Sequence, residues 1–125
     1  MKLSIYKEFY QVAKLAPESG IPESALRGEF YSVTRTDEEL SVVCAQDADF
    51  LCESREKGWR MLKIEGVLDF SLIGILSKIS TILADNSVSI FAVSTYNTDY
   101  ILVKDKDIDA AVTALKGSGY EITGR

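Results

Sequence analysis

Two polar segments in the second half of the chain carry the residue types best suited to holding a small molecule. One is Ser94-Thr95-Tyr96-Asn97-Thr98-Asp99, which offers hydroxyls, an amide and a single carboxylate. The other is Leu68-Asp69-Phe70-Ser71-Leu72-Ile73-Gly74-Ile75, read as a loop entering a helix. Free backbone amides at such an entry carry partial positive charge and suit an anion such as an α-carboxylate. Asp99 is suited to pair with an α-ammonium or a basic side chain. Together the segments would give an amino acid both partners it needs. Clusters of Ser, Thr, Asn and Asp are also ordinary turn formers, and Asp69 is an ordinary helix cap. On spacing alone, therefore, the turn reading leads.

Catalysis has little to work with. The chain contains no histidine, which removes Ser-His-Asp and Cys-His chemistry, the commonest general base and most zinc or iron sites. Ser94 and Thr95 have no activating neighbour and no GxSxG context. Asp105 and Asp107 alternate with Lys104 and Lys106, as expected of a solvated turn leading into a helix. The glycines match neither a P-loop nor a dinucleotide fingerprint. We expect no catalytic residue, no cofactor and no metal site.

The balance of charge narrows the partners. Fourteen Lys and Arg are scattered among nineteen Asp and Glu, for a net charge of −5. Nucleic acids and anionic lipids are bound by clustered cations that displace counterions, so neither partner is expected. No apolar run approaches the ~20 residues of a membrane span, and the N-terminus lacks the apolar core of a signal peptide. Cys44 and Cys52 are the only cysteines. Their spacing leaves a disulfide open, but a chain with its own core does not need one, and two reduced thiols in a cytoplasmic protein are expected. At 46% apolar and 26% charged residues, the 125-residue chain has the composition of a folded domain.

The elements that would position the two segments are legible in the second half. Trp59 to Glu65 alternates as a strand ending at Gly66. Leu72, Ile73, Ile75, Leu76, Ile79, Ile82 and Leu83 recur at helical spacing, with Asp69 or Ser71 as cap and Asn86 as a left-handed stop. Val88 to Val93 and Tyr100 to Val103 are strands rich in β-branched and aromatic residues. Asp107 caps a second helix with an apolar stripe of Ile108, Ala111, Val112 and Leu115, ended by Gly117 and Gly119. Tyr120 to Ile122 is a last short strand. The order βαββαβ is the ferredoxin-like split unit, an α+β fold with two helices on one face of an antiparallel sheet.

The first half reads as a worn copy. Phe30 to Thr36 falls on Ile90 to Tyr96 at an offset of sixty, which carries Leu40-Ser41-Val42-Val43 onto Tyr100-Ile101-Leu102-Val103. Phe9 to Leu15 falls on Trp59 to Glu65 at an offset of fifty. The first helix would shrink to about Pro22 to Arg27, and residues 45–57 offer a short second helix in place of a clear fourth strand. This gives a shortened half over 1–57 and a complete half over 58–125. We expect the halves to share a sheet and to exchange a terminal strand.

The same residues carry a family resemblance. Phe30 to Thr36, Glu39 to Cys44, Gly58 to Arg60, Leu68 to Leu76 and above all Ser89 to Val103 resemble the small bacterial proteins with two tandem ACT domains. That family is similar to the regulatory part of aspartate kinases and to the arginine sensor of animal cells. The resemblance implies two ACT domains side by side, with ligand bound where ACT units meet. It implies contacts from Asp69, Phe70, Ser71, Leu72, Gly74 and Ile75, and from Ser94, Thr95, Tyr96, Asn97, Thr98 and Asp99. Thr34-Arg35-Thr36 is the first-half counterpart, where the short helix departs from a full ACT unit.

The expected function is a homodimeric, non-catalytic regulatory module that binds a small amino acid or related metabolite. Exposed sheet edges and faces make a partner copy the expected cover. The alternative is a ligand-free interaction module that docks on a metabolic enzyme or regulator. Small ferredoxin-like hydrolases such as acylphosphatases need an Arg in a phosphate-cradling loop, and none is found.

Overall fold

A computed structural model of the chain describes residues 1–66 and 74–124. Eight strands and two α-helices follow one another: β1 (Lys2–Ile5), β2 (Tyr10–Leu15), β3 (Ser32–Arg35), β4 (Leu40–Ala45), β5 (Ser54–Ile64), α1 (Ile75–Asp85), β6 (Phe91–Ser94), β7 (Asp99–Lys104), α2 (Ile108–Gly117) and β8 (Glu121–Gly124). They divide into two compact units. Glu8–Trp59 forms one, and Met1–Lys7 with the chain from Arg60 onward forms the other. The boundary falls inside β5, so one strand serves both.

In the unit that begins at Arg60, the strands run in the order β6, β7, β5, β1, β8. This is the α+β, ferredoxin-like arrangement with one addition. The N-terminal strand β1 lies between β5 and β8, antiparallel to the first (Leu3 opposite Ile64) and parallel to the second (Leu3 opposite Ile122). Alternate residues Leu62, Ile64, Ile101 and Val103 meet Ile79 and Leu83 of α1 and Ala111 and Leu115 of α2 in a fully buried core. The period of two along strands and 3.6 along helices puts these residues on facing surfaces.

The helix boundaries differ from the sequence reading in instructive ways. The residue preceding α1 is Gly74, in a left-handed conformation (φ 81°), with no side-chain cap. Asp69 and Ser71, expected to cap it, lie outside the described residues, as do Leu72 and Ile73. Asn86 ends the helix at φ −105°, its amide donating to Ile82 O at 2.8 Å, and the left-handed residue is Ser87 at φ 59°. Asp107 holds the N-cap position of α2 but makes no side-chain cap, because Asp105–Asp107 is already wound as a 3₁₀ turn. Asp105 pairs with Arg60 at 3.2 Å.

The Glu8–Trp59 unit keeps the strand order of the same fold, β3, β4, β2, β5, without α-helices. The stretch expected as a helix over Pro22 to Arg27 forms only a 3₁₀ turn, Glu23–Ala25, whose buried Ala25 packs on Ala13, Leu15, Leu40, Val42 and Cys44. Residues 45–57 form no second helix; their latter part is already β5. The buried carboxamide of Gln11 holds the segment that replaces it, donating to Ala45 O at 3.0 Å and Ala48 O at 2.9 Å. The fourth strand missing from the sequence reading is the first part of β5. It is disguised by a bulge: Tyr10 faces Trp59 while Val12 faces Glu56, with one extra residue on β5. Gly58 takes φ 82° there, and its freed N–H donates to Gln46 Oε1 at 2.6 Å.

The β3–β4 and β6–β7 hairpins correspond in register, but one residue off the sequence alignment. Arg35–Leu40 closes the β3–β4 hairpin and Ser94–Asp99 closes β6–β7, so equivalent residues lie 59 apart, Arg35 to Ser94 and Leu40 to Asp99. The offset of fifty likewise sets core residues Ala13 and Leu15 on Lys63 and Glu65. A one-residue shift brings them onto buried Leu62 and Ile64. Such a slip exchanges the two faces of a strand.

Candidate functional site

Thr95 to Thr98 is a four-residue turn between the paired strand ends Ser94 and Asp99. Thr95 organises it. Its N–H donates to Thr98 O at 2.9 Å, its hydroxyl donates to the same carbonyl at 3.0 Å, and Thr98 N–H approaches Thr95 Oγ1 at 3.4 Å. A threonine competes well for such local backbone partners, which is why the type recurs at turns. Thr98 is buried, and its hydroxyl donates to Ile64 O at 2.7 Å. That bond ties the turn to the end of β5, the strand that leads toward α1.

The six segment residues thus divide by availability. Thr95 and Thr98 spend their hydroxyls on the turn and on β5. Ser94, Tyr96 and Asn97 are exposed, Tyr96 at 81%. Asp99 is half-buried. Strand alternation puts it on the same face as Ile101 and Val103, the face covered by α1 and α2. A carboxylate is therefore held at the end of an apolar, helix-covered surface, the placement an ammonium partner needs.

Gly74 and Ile75 stand at the start of α1. Among the described residues, the first turn of that helix contains no acidic residue and no side-chain cap. Asp69, Phe70, Ser71 and Leu72 lie outside the described residues. Sequence reasoning missed the anchoring role of Thr98; its signal is a hydroxyl residue immediately before a strand, facing the end of another.

The first-half counterpart is built differently. Thr36 repeats the role of Thr95: its N–H donates to Glu39 O at 2.9 Å, and its Oγ1 accepts from the N–H groups of Glu38 and Glu39, each at 3.1 Å. Arg35, however, is consumed, its guanidinium donating to Pro17 O and to Ser19 O. At the position of Asp99 stands Leu40, fully buried in the core.

The thiols also differ. Cys44 and Cys52 are both free. Burial pushes the Cys44 thiol up to about 11, partly offset by the Arg55 guanidinium. Cys52 Sγ accepts from Arg55 Nε at 3.1 Å. Among the described residues, no cluster of three His, Cys, Asp or Glu is placed to hold a metal ion, and no helix is long and apolar enough to cross a membrane.

An α+β unit of this strand order, with two helices on one face of its sheet, is of the ferredoxin-like class. The ACT domain family model matches residues 54–117, and the chain belongs to the ACT domain family. A further family model, described as an N-terminal domain, matches residues 8–48. A crystal structure of a protein from Agobacterium tumefaciens is similar over 99% of this chain and 92% of its own, at 33% identity and a TM-score of 0.90. The fold is shared with the regulatory subunit of aspartate kinase from Thermus thermophilus, in its ligand-free form, at 12% identity and a TM-score of 0.64, over 90% of this chain and 93% of that one. It is shared also with aspartate kinase from Clostridium acetobutylicum, at 18% identity and a TM-score of 0.64, over 92% of this chain and 33% of the kinase.

Proposed function

We propose that the protein is a non-catalytic regulatory module. It binds a small amino acid or related metabolite where ACT units meet, as a homodimer in the cytoplasm. Membership of the ACT domain family supports a regulatory ligand-binding module in general. The observation that carries the finer reading is Asp99, a lone carboxylate at the strand end on the helix-covered face, on a turn anchored by Thr98 to β5. Asp99 takes the ligand's positive charge. The start of α1, with Gly74 and Ile75, takes its carboxylate, joined by Asp69, Phe70, Ser71 and Leu72. Ser94, Thr95, Tyr96, Asn97 and Thr98 complete the rim and the frame.

Isothermal titration against the twenty amino acids tests the reading. One or a few should bind, and Asp99→Ala should weaken that binding ten-fold or more, as expected for loss of a charge-assisted contact worth about 1.5–3 kcal/mol. Sedimentation should show a dimer. Silence across the panel from a folded protein would sink amino-acid sensing and favour the docking module, for which Asp99→Ala leaves partner binding intact.

A further inference from the structure

A second site lies away from Asp99, in the same unit. A pocket of about 600 Å³ opens between the outer surface of α1 and the turn that joins α2 to β8. That volume falls within the ~300–1,000 Å³ of small-molecule pockets. Ile75 and Ile82, two turns apart on one face of α1, and Tyr120 make its apolar part, each also packed against the buried core and so held in place.

The polar groups on its wall are unevenly disposed. The N–H groups of Ser118, Gly119 and Tyr120 are spent on the last carbonyls of α2, donating to Leu115 O, Lys116 O and Leu115 O, and Ser118 Oγ donates to Ala114 O. Polar recognition is left to Ser77, Thr81 and Lys78, all on α1. Lys78 is the single charged side chain lining the pocket, and it forms no ion pair among the described residues. Met1 lines the pocket as well, and in a chain of net charge −5 a cationic group over an apolar floor selects by sign.

We propose that this pocket binds an amphipathic monoanion, an apolar body carrying one carboxylate. The chain or ring lies against Ile75, Ile82 and Tyr120. The carboxylate meets the Lys78 ammonium and the Ser77 and Thr81 hydroxyls. The site shares Ile75, but no polar side chain, with the amino-acid site proposed above, and its charge preference rests on Lys78 and not on Asp99.

Titration of the full chain with sodium decanoate, and in parallel with decylammonium chloride, tests it. Decanoate should bind one per chain, and decylammonium at least ten-fold more weakly. Lys78→Glu should lower decanoate affinity ten-fold or more, and Thr81→Trp, which fills the pocket from an exposed position, should abolish binding. Both variants should keep the wild-type circular dichroism, because both side chains are exposed. Asp99→Ala should bind decanoate as the wild type does. Failure of decanoate to bind, equal binding of decylammonium, or undiminished binding by Lys78→Glu and Thr81→Trp would overturn the proposal.

Discussion

The two hairpins, β3–β4 and β6–β7, are built on one frame and end in opposite ways. Each closes a four-residue turn with a threonine whose N–H donates across the turn at 2.9 Å, Thr36 to Glu39 O and Thr95 to Thr98 O. Beyond that frame the pairs diverge. Leu40 stands where the second hairpin has Asp99, and Arg35, tied to Pro17 and Ser19 carbonyls, stands where it has Ser94. The first turn has turned its strand end into core and loop bracing. The second keeps a carboxylate at the end of its apolar face. The two turns share a backbone hydrogen bond and differ in the side chains at their strand ends.

Exchanging the divergent residues gives the sharpest test of that contrast. Leu40→Asp places an unpaired carboxylate in a buried core and should cost about 3–5 kcal/mol in urea unfolding. The reverse change, Asp99→Leu, should leave stability within about 1 kcal/mol while abolishing any amino-acid response. Equal costs at both positions would erase the distinction between them.

The anchor of the second turn gives the next effect. Thr98→Val removes the buried donor to Ile64 O and should cost about 1–3 kcal/mol. Glu39→Ala, at the equivalent position of the first turn, should change unfolding by no more than about 0.5 kcal/mol. A smaller effect belongs to the strand that both units share. Gly58 sits at φ 82° with no atom crowding a Cβ, so Gly58→Ala should cost only the left-handed backbone penalty, about 1–2 kcal/mol.

The effect that vanishes at neutral pH is a pH dependence that originates in the first unit. The Cys44 thiol is raised by burial from 9.0 to about 11. Between those values the unfolded chain releases a proton that the folded chain keeps, so stability should fall as pH rises through that window. Below pH 9 it should not depend on this group, and Cys44→Ala should flatten the fall. Iodoacetamide at neutral pH should label Cys52 well before Cys44 in the folded protein.

Much of the second unit was legible because its helix and strand periods are long and unbroken. The stripe Ile75 to Leu83 can sit on a core in only one way, and the run Tyr100 to Val103 is apolar enough to be read as a strand. The repeat was legible too, but its offset was not. Strands of four to six residues bear apolar side chains on both faces here, as Val42 with Val43 and Ile101 with Leu102, so an alignment by type slips by one at little cost. Only cross-strand hydrogen bonds fix which residue faces which. The first part of β5 was hidden for a related reason: Ser54 to Gly58 is polar and bulged, and it becomes a strand because β2 offers it a partner.

At the candidate site the division is the same. The residue types of Ser94 to Asp99, the absence of histidine and the net charge settle by themselves which chemistries are within reach, because these depend on the groups present and not on their arrangement. That Thr98 is buried under Ile64 O, that Asp99 shares the face of Ile101 and Val103, and that Leu40 is core and not site were decided by tertiary structure. Burial and hydrogen-bond partners come from residues distant in the chain, and one turn sequence is compatible with either outcome until a neighbouring strand covers it.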